Sequence, residues 1–452
     1  MSNRVESQRP SILPILVVNF VGTLGYSIVL PFLVFLVTRL GGNAVVYGVI
    51  GATYSVFQLV GAPLLGRWSD RVGRKRVLLL SHFGTLTSWF IFFVALVLPA
   101  SPLFAVQSTA LGQFTLTVPL LLLFVARAID GLTGGNVSVA NAYLADITTG
   151  ADRSASFGRL TLSGNLGFVV GPALAGILGA TGMGEQLPVL AAFAISAIAM
   201  CVIWLTLSDA KPCVITAKLN EATLPDVLGG DRKECYRISS GAAVPTATIL
   251  AVPRVRLLLS LQFLVFLAFN FYYVAFPVYA ATSLNWTLAG LGTYFAVMSI
   301  AMAIVQGPVL TWLASRVGDK ALVIGGSVAL AGAFALFVSA QVPVIYVGVL
   351  LLAFGNGLMW PSLLSVLSKS TSPRLQGAVQ GLSGSVTAVA SIAGLLGGGG
   401  LYQVFGARVF LLAAVITGIV ALIALRIDAL GGASKPQCSS GMERTLRRGD
   451  GN

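Results

Sequence analysis

Long apolar runs separated by short polar loops fill most of the chain. A helix needs about 20 predominantly apolar residues to cross about 30 Å of hydrocarbon, and twelve segments supply them. The first six run roughly from Ile12 to Leu40, Val45 to Leu65, Val77 to Leu98, Phe114 to Leu144, Ala155 to Leu178 and Leu187 to Leu207. The polar stretch Ser208–Pro253, rich in Asp, Lys, Gly and Ser, reads as a linker. Six more runs follow, roughly Val255 to Ala281, Leu288 to Leu313, Ala321 to Ala340, Val342 to Ser368, Pro373 to Phe405 and Val409 to Leu425. The pattern predicts an N-terminus over 1–11, a six-helix bundle over 12–207, a linker over 208–253, a second bundle over 254–428 and a tail over 429–452.

The two halves repeat one another. Gly61 begins GAPLLGRWSDRVGRK and Gln306 begins QGPVLTWLASRVGDK, each at the end of the second span of its half. Pro63 corresponds to Pro308, Arg71 to Arg316, Gly73 to Gly318 and Lys75 to Lys320. The predicted fold class is therefore an all-α membrane protein of 12 transmembrane helices in two pseudo-symmetric six-helix bundles. Many secondary transporters enclose a midplane site between two such halves.

Composition supports the lipid setting. The apolar set makes up 56% of the 452 residues, Gly adds 51, and charged residues reach only 10%, against about a quarter in soluble domains. Mean hydropathy is +0.90. So few charges cannot solvate a globular surface of this size, which sets aside soluble enzymes, disordered chains and disulfide scaffolds. The net charge of +13 would suggest nucleic acid in a soluble protein. Here the basic residues border the spans: only Arg39 and Arg408 lie toward one face, Arg127 is inside a span, and the other 25 of 28 border the opposite face. That is the positive-inside bias, with membrane lipid as partner and no nucleic acid. Both termini and the linker are expected to be cytoplasmic, in a plasma or bacterial inner membrane. Cys201, Cys213, Cys235 and Cys438 have no metal spacing and imply no disulfide framework. The N-terminal stretch MSNRVESQRP carries no cleavage pattern.

The most distinctive local motif is Gly66-x-x-x-Asp70-Arg71-x-Gly73-Arg74-Lys75, between spans two and three. Glycines permit a tight turn and cations suit a cytoplasmic boundary, but a carboxylate at a helix end near hydrocarbon needs positive partners. Further on come RAIDGLTGGNVSVANAYLADIT, from Arg127 to Thr148, and Gly158-x8-Gly167-x3-Gly171-Pro172-x2-Ala175-Gly176 in span five. With LSKSTSPRLQGAVQGL from Leu367, these segments resemble the major facilitator superfamily over nearly the whole chain. They are most similar to its twelve-span drug:proton antiporters, which include the tetracycline exporters. Gly66 to Lys75 looks like the family's signature loop. The span-five series is similar to the antiporter motif, with Ala175 where Gly is usual.

The resemblance implies a lock at the signature loop, with Asp70 near the start of span eleven and Arg71 or Arg74 near Asp146 at the end of span four. Ser372-Pro373 independently reads as a helix start whose dipole would suit Asp70. Asp70→Asn is expected to weaken the state closed on that side and to lower turnover more than affinity. In span five the small residues allow close helix approach and Pro172 removes a backbone donor.

Arg127 and Asp130 are the charges deep within a span. Three apart on a helix they can touch, which leaves two readings: a self-neutralising pair, or a cavity-facing Arg127 with Asp130 taking and releasing a proton as access alternates. Burial and the guanidinium act on that carboxyl in opposite senses, and the sequence leaves the balance open. The tetracycline exporters carry acidic residues in spans one and three where this chain has Gly22 and Ser88, which argues against tetracycline as cargo and removes one usual proton carrier. His82 reads as a boundary residue.

Candidate substrate contacts are sparse polar and aromatic positions on helical stripes: Asn19, Thr23 and Tyr26 in span one; Gln262, Phe266, Asn270 and Tyr273 in span seven; Gln306; Asn356 and Trp360 in span ten. Each could face an apolar cavity suited to amphiphiles or bridge helices instead. Asn285–Thr287 forms a glycosylation sequon in a loop too short to use it. No phosphate-binding G-x4-G-K-[ST] loop occurs, so an ATP-driven pump is not expected. The expected function is proton-coupled efflux of small drug-like organic molecules by alternating access, without enzymatic activity, cofactor or metal, by a monomer. The alternatives are a facilitator or symporter of a polar metabolite, and a transport-inactive membrane receptor.

Overall fold

The computed structural model describes residues 12–108, 111–134, 136–148, 150–207, 246–370 and 376–427. Thirteen of the fifteen helices in these segments are long. In the first half they are α1 (Leu13–Arg39), α2 (Ala44–Val72), α3 (Arg74–Val97), α4 (Val118–Thr133), α5 (Asn136–Ile147), α6 (Gly150–Gly179) and α7 (Gln186–Thr206). After the short α8 (Thr246–Leu250) come α9 (Pro253–Thr282), α10 (Leu288–Ile304), a π turn (Val305–Val309), α11 (Leu310–Ala314), α12 (Asp319–Leu336), α13 (Val342–Lys369), α14 (Gln376–Phe405) and α15 (Val409–Ala424). The predicted N-terminus, most of the linker, the tail, Cys213, Cys235, Cys438 and Ser372-Pro373 lie outside the described residues.

Among the described residues ten stretches are long and apolar enough to cross a membrane, and α1, bent by 44° between Val29 and Phe32, supplies an eleventh. One stretch, Gly381–Ala424, is 44 residues long. The 3-10 turn Gly406–Arg408, with Gly406 at φ +56°, divides it between α14 and α15, so the set is compatible with twelve crossings. The helices pack as two bundles, α1 to α7 and α9 to α15, in the all-α membrane fold expected.

Capping explains most helix starts. Asn43, Thr117 and Thr287 accept the backbone N–H groups of Val46, Leu120 and Gly290, and Pro14, Pro119, Pro253 and Pro343 sit in first turns where no N–H is needed. Gly73, at φ +104°, both ends α2 and starts α3, a conformation that favours glycine.

The structure corrects three element boundaries. The fourth span does not begin at Phe114: β1 (Pro102–Ser108) and β2 (Gly112–Thr117) form an antiparallel hairpin, and the helix starts at Val118. Alternating apolar and polar residues favour the strand there, and the hairpin is tied to the α1–α2 loop by Thr115 N donating to the Gly41 carbonyl at 2.8 Å and Thr117 Oγ1 to the Leu40 carbonyl at 3.0 Å. Helix α4 then ends at Gly134, within a Gly-rich stretch, before α5 resumes. Span eight likewise leaves α-helical geometry at the π turn that contains Pro308.

The second bundle has an aromatic centre. Phe276 stacks on Tyr294 at 4.2 Å, Tyr272 stacks on Phe337 at 5.1 Å, and the Tyr272 and Tyr294 hydroxyls are 2.6 Å apart. Each ring pair adds about 0.5–1.5 kcal/mol beyond its buried area, which makes this bundle a stiff body.

The bundles meet closely at one end. Along α6 and α10, Gly176 and Gly292 touch backbone to backbone, so a Cβ on either would collide with the other. Along α2 and α14, a Cβ on Gly399 would lie 2.6 Å from the Ala44 carbonyl. This is the hairpin end, where Arg39 Nη1 also reaches Glu185 at 2.9 Å and Gly112 packs on Gln403. Toward the signature-loop end, Cβ atoms on Gly158, Gly307, Gly381 and Gly384 would meet nothing within 4 Å. The halves are joined at the hairpin end, and at the other these four glycines meet no neighbour among the described residues.

Candidate functional site: a cavity between the bundles

Below the glycine contacts lies a cavity of about 410 Å³, within the range of small-molecule sites. Helices of both bundles form it. From the first come Gly22 and Thr23 on α1, Tyr54, Ser55 and Gln58 on α2, and Asn165, Phe168, Val169 and Pro172 on α6. From the second come Val265, Phe266, Phe269, Asn270 and Tyr273 on α9, Met298, Ser299 and Met302 on α10, Gln306 in the π turn, Asn356 and Trp360 on α13, and Gly384, Thr387, Ala388 and Ser391 on α14.

Of the sequence candidates, Thr23, Phe266, Asn270, Tyr273, Gln306, Asn356 and Trp360 line this space. Phe266 and Trp360 meet edge to face at 4.5 Å and form one wall. Asn19 and Gln262 do not line it; they take the helix-bridging alternative. Asn19 Nδ2 donates to the Leu160 carbonyl at 2.7 Å and to Ser163 Oγ at 3.1 Å, joining α1 to α6. Gln262 Nε2 donates to the Ser383 carbonyl and Thr387 Oγ1, and its Oε1 accepts from Ser383 Oγ, joining α9 to α14. The side chain of Tyr26 lies outside the described residues.

Sequence reasoning missed Tyr54, Ser55 and Gln58, although they share one face of α2, and it missed Asn165 and Phe168, which lie inside the glycine motif of α6. Pro172 belongs to that motif and lines the cavity. Gly167 and Gly171 instead press on the backbone of α1, and Ser27 Oγ donates to the Gly167 carbonyl at 3.0 Å. Gly158 is exposed. One helix thus supplies cavity wall, α1 contact and, at Gly176, contact between bundles.

Arg127 and Asp130 sit behind the cavity wall, buried within the first bundle, 1% and 8% exposed. Arg127 Nη1 lies 3.5 Å from Asp130 Oδ2, and Thr85 Oγ1 on α3 donates to Asp130 Oδ1 at 3.1 Å. The Arg127 guanidinium also lies 4.7 Å from the centre of the Tyr54 ring. Tyr54 is the partition: one side holds the cation, and the residue also lines the cavity. Its hydroxyl accepts from Gln58 Nε2 at 2.9 Å, and Gln58 Nε2 reaches the Gly134 carbonyl, at the break in span four, at 3.2 Å. Ser81 Oγ donates to the neighbouring Thr133 carbonyl. Side chains of α2 and α3 therefore bond the Thr133 and Gly134 carbonyls at the end of α4.

At the signature loop, Arg74 is buried and donates to Ser69 Oγ, Ser69 Oγ donates to the Gly66 carbonyl at 2.6 Å, and Lys75 Nζ donates to the Trp204 carbonyl at 2.7 Å. Arg71 is exposed. The side chains of Asp70 and Asp146 lie outside the described residues. In the second half the position of Arg74 is held by Asp319, which receives Lys369 Nζ at 2.6 Å and Ser365 Oγ at 2.8 Å. His82 is buried with Nδ1 3.1 Å from the Leu78 carbonyl of its own helix. Among the described residues no three His, Cys, Asp or Glu side chains gather as a metal site would need.

The Major Facilitator Superfamily model matches residues 15–227 and 258–437. The chain belongs to this superfamily. Among characterised relatives, the class D tetracycline resistance protein of Salmonella ordonez is 29% identical, over 84% of this chain and 86% of its own. The class B tetracycline resistance protein of Escherichia coli is 26% identical over 84% and 86%, and human major facilitator superfamily domain-containing protein 10 is 29% identical over 81% and 75%. Solved structures agree in fold. The human organic anion transporter MFSD10 (TETRAN) has a TM-score of 0.63 at 22% identity, covering 91% of this chain and 98% of that one. The nucleoside transporter NupG has 0.63 at 14%, covering 93% and 99%. The superfamily member described here is accordingly a multi-pass membrane transporter of small substrates.

Proposed function

We propose that this transporter exports small amphiphilic, drug-like molecules in exchange for protons by rocking its two bundles about the cavity. The observation that carries the reading is Tyr54, which borders the cavity and bears on Arg127, itself paired with Asp130. Cargo against Tyr54 perturbs the guanidinium, and the guanidinium perturbs the carboxyl that takes up or releases a proton. In this scheme the pair serves as coupling group without touching cargo.

Several features support the rest. Glycine contacts between backbones close one end and release with little side-chain interlocking, as alternating access needs. The distribution of lysines and arginines supports a cytoplasmic position for the signature-loop end and both termini, in a plasma or bacterial inner membrane. The signature loop and Asp146 would then lock the cytoplasmic side when it closes. The relatives named as tetracycline resistance proteins fit an exporter, although Gly22 and Ser88 stand where their acids do.

In proteoliposomes under an imposed pH gradient, cargo-induced proton release is expected from the natural chain and lost in Asp130→Asn. Undiminished release in that variant overturns the reading. A second reading, a facilitator or symporter of a polar metabolite, is favoured by the amides of Gln58, Asn165, Asn270, Gln306 and Asn356 around the cavity; flux indifferent to the gradient would select a facilitator, and cargo moving in the same direction as protons a symporter.

A further inference from the structure

The cavity lining contains no Asp, Glu, Lys, Arg or His among the described residues. Arg127 is shut behind Tyr54, already beside Asp130. Its hydrogen-bonding groups are neutral, and several are spare. Gln58 and Asn270 use their amide nitrogens on protein partners, Tyr54 Oη and the Gly134 carbonyl for one, the Phe266 carbonyl and Ser391 Oγ for the other. The side-chain amides of Asn165, from the first bundle, and Gln306, from the second, form no hydrogen bond among the described residues. Ser299 is 2% exposed and its Oγ has no hydrogen-bond partner although it lines the cavity.

Gln306 owes its place to the π turn, a local widening of the helix of a kind often found at functional sites. The repeat makes the point sharper. The matching position in the first half is Gly61, where a Cβ would run into the backbone of Leu132, so there the helix packs and here an amide faces open space. An amide offers both donors and an acceptor, and a hydroxyl offers one of each kind. A buried hydroxyl without a partner is unfavourable until something polar fills the site. Phe168, Phe269 and the Phe266–Trp360 pair supply flat apolar walls beside these groups.

A molecule bearing net charge would lose its water on occlusion with no opposite charge to meet it, a large cost in an apolar site. An uncharged ring system with carbonyl, amide or hydroxyl groups avoids that cost and completes the open hydrogen bonds. We propose that the cavity selects aromatic cargo of no net charge, its polar groups taken up by Asn165 and Gln306. This deepens the export reading by naming its cargo class, and rests on that reading for the direction of transport only.

The test is binding to the purified full chain at neutral pH, followed by thermal stabilisation. The probes are aryl compounds of one to four rings, each as the carboxamide, the carboxylate and the aminomethyl cation. The carboxamides are expected to bind about tenfold or more tightly than either charged partner, with the preference reduced in Asn165→Leu and Gln306→Leu. Gln306→Glu, a change of one group with little change of volume, is expected to shift preference toward the aminomethyl cations. Carboxamides that bind no better than the charged compounds, or not at all, overturn the inference. So does a Gln306→Glu protein of normal melting temperature with unchanged preference. Neutral-selective binding without gradient-driven flux would strike the antiport reading and leave this one standing; gradient-driven flux with charged and neutral probes bound alike would do the reverse.

Discussion

Tyr54 touches two environments that are otherwise separate. Its ring meets a guanidinium in a site from which water is excluded, where such a contact is worth about 2 kcal/mol, more than at a surface. Tyr54→Leu should therefore disturb Arg127 and Asp130 while leaving the cavity open. The expected result is weaker cargo binding, because the ring borders the cavity, and, at saturating cargo, a much reduced release of protons per cargo bound. Tyr54→Phe, which keeps the ring and loses only the hydroxyl bond to Gln58, should retain most coupling; proton release measured alongside binding checks both. At this scale the sequence was partly legible. The span-seven stripe located Phe266, Asn270 and Tyr273, because helical spacing fixes which residues share a face. The same stripe also contains Gln262, which bonds Ser383 and Thr387 and stays out of the cavity. Spacing tells direction but not what stands opposite. Tyr54 escaped because its role depends on Arg127 from another span, and Asn165 because the glycines around it already had a packing explanation.

In the proposed cycle, elements carry the motion. Helix α6 presses on α1 through Gly167 and Gly171, and on α10 through Gly176. Overfilling a packed contact costs typically about 1–3 kcal/mol, and backbone facing backbone offers no flexible side chain to give way. Gly176→Leu should thus favour the arrangement in which the hairpin end opens. Spin labels at Thr181 and Ser283 are expected to move apart relative to the natural chain, with transport slowed; an unchanged distance would argue against Gly176 as a closing point. The order of the spans and their division into two bundles were readable because apolar length and polar interruption are direct consequences of the lipid environment. The hairpin over 102–117 was not, since a short apolar run beside a span reads equally as its extension. Nor was the break at Gly134, whose cost is met by Ser81 and Gln58 from other helices.

The whole molecule is two bodies with different interiors around one shared space. The first contains a buried ion pair and a broken helix, and the second an aromatic centre with the π turn at its edge. On the proposed reading, what moves through the shared space is decided by a few uncharged side chains. If cargo leaves without net charge while one proton enters, each cycle carries current. Voltage then drives export alongside acidity, and each elementary charge gains about 2.3 kcal/mol per 100 mV. With the pH gradient clamped at zero, a potassium diffusion potential set by valinomycin should be enough to drive cargo uphill in vesicles, and reversing its sign should reverse the flow; indifference to voltage would mean that cargo brings a charge of its own. An absence of charge in the wall would thereby make the transporter an electrical device.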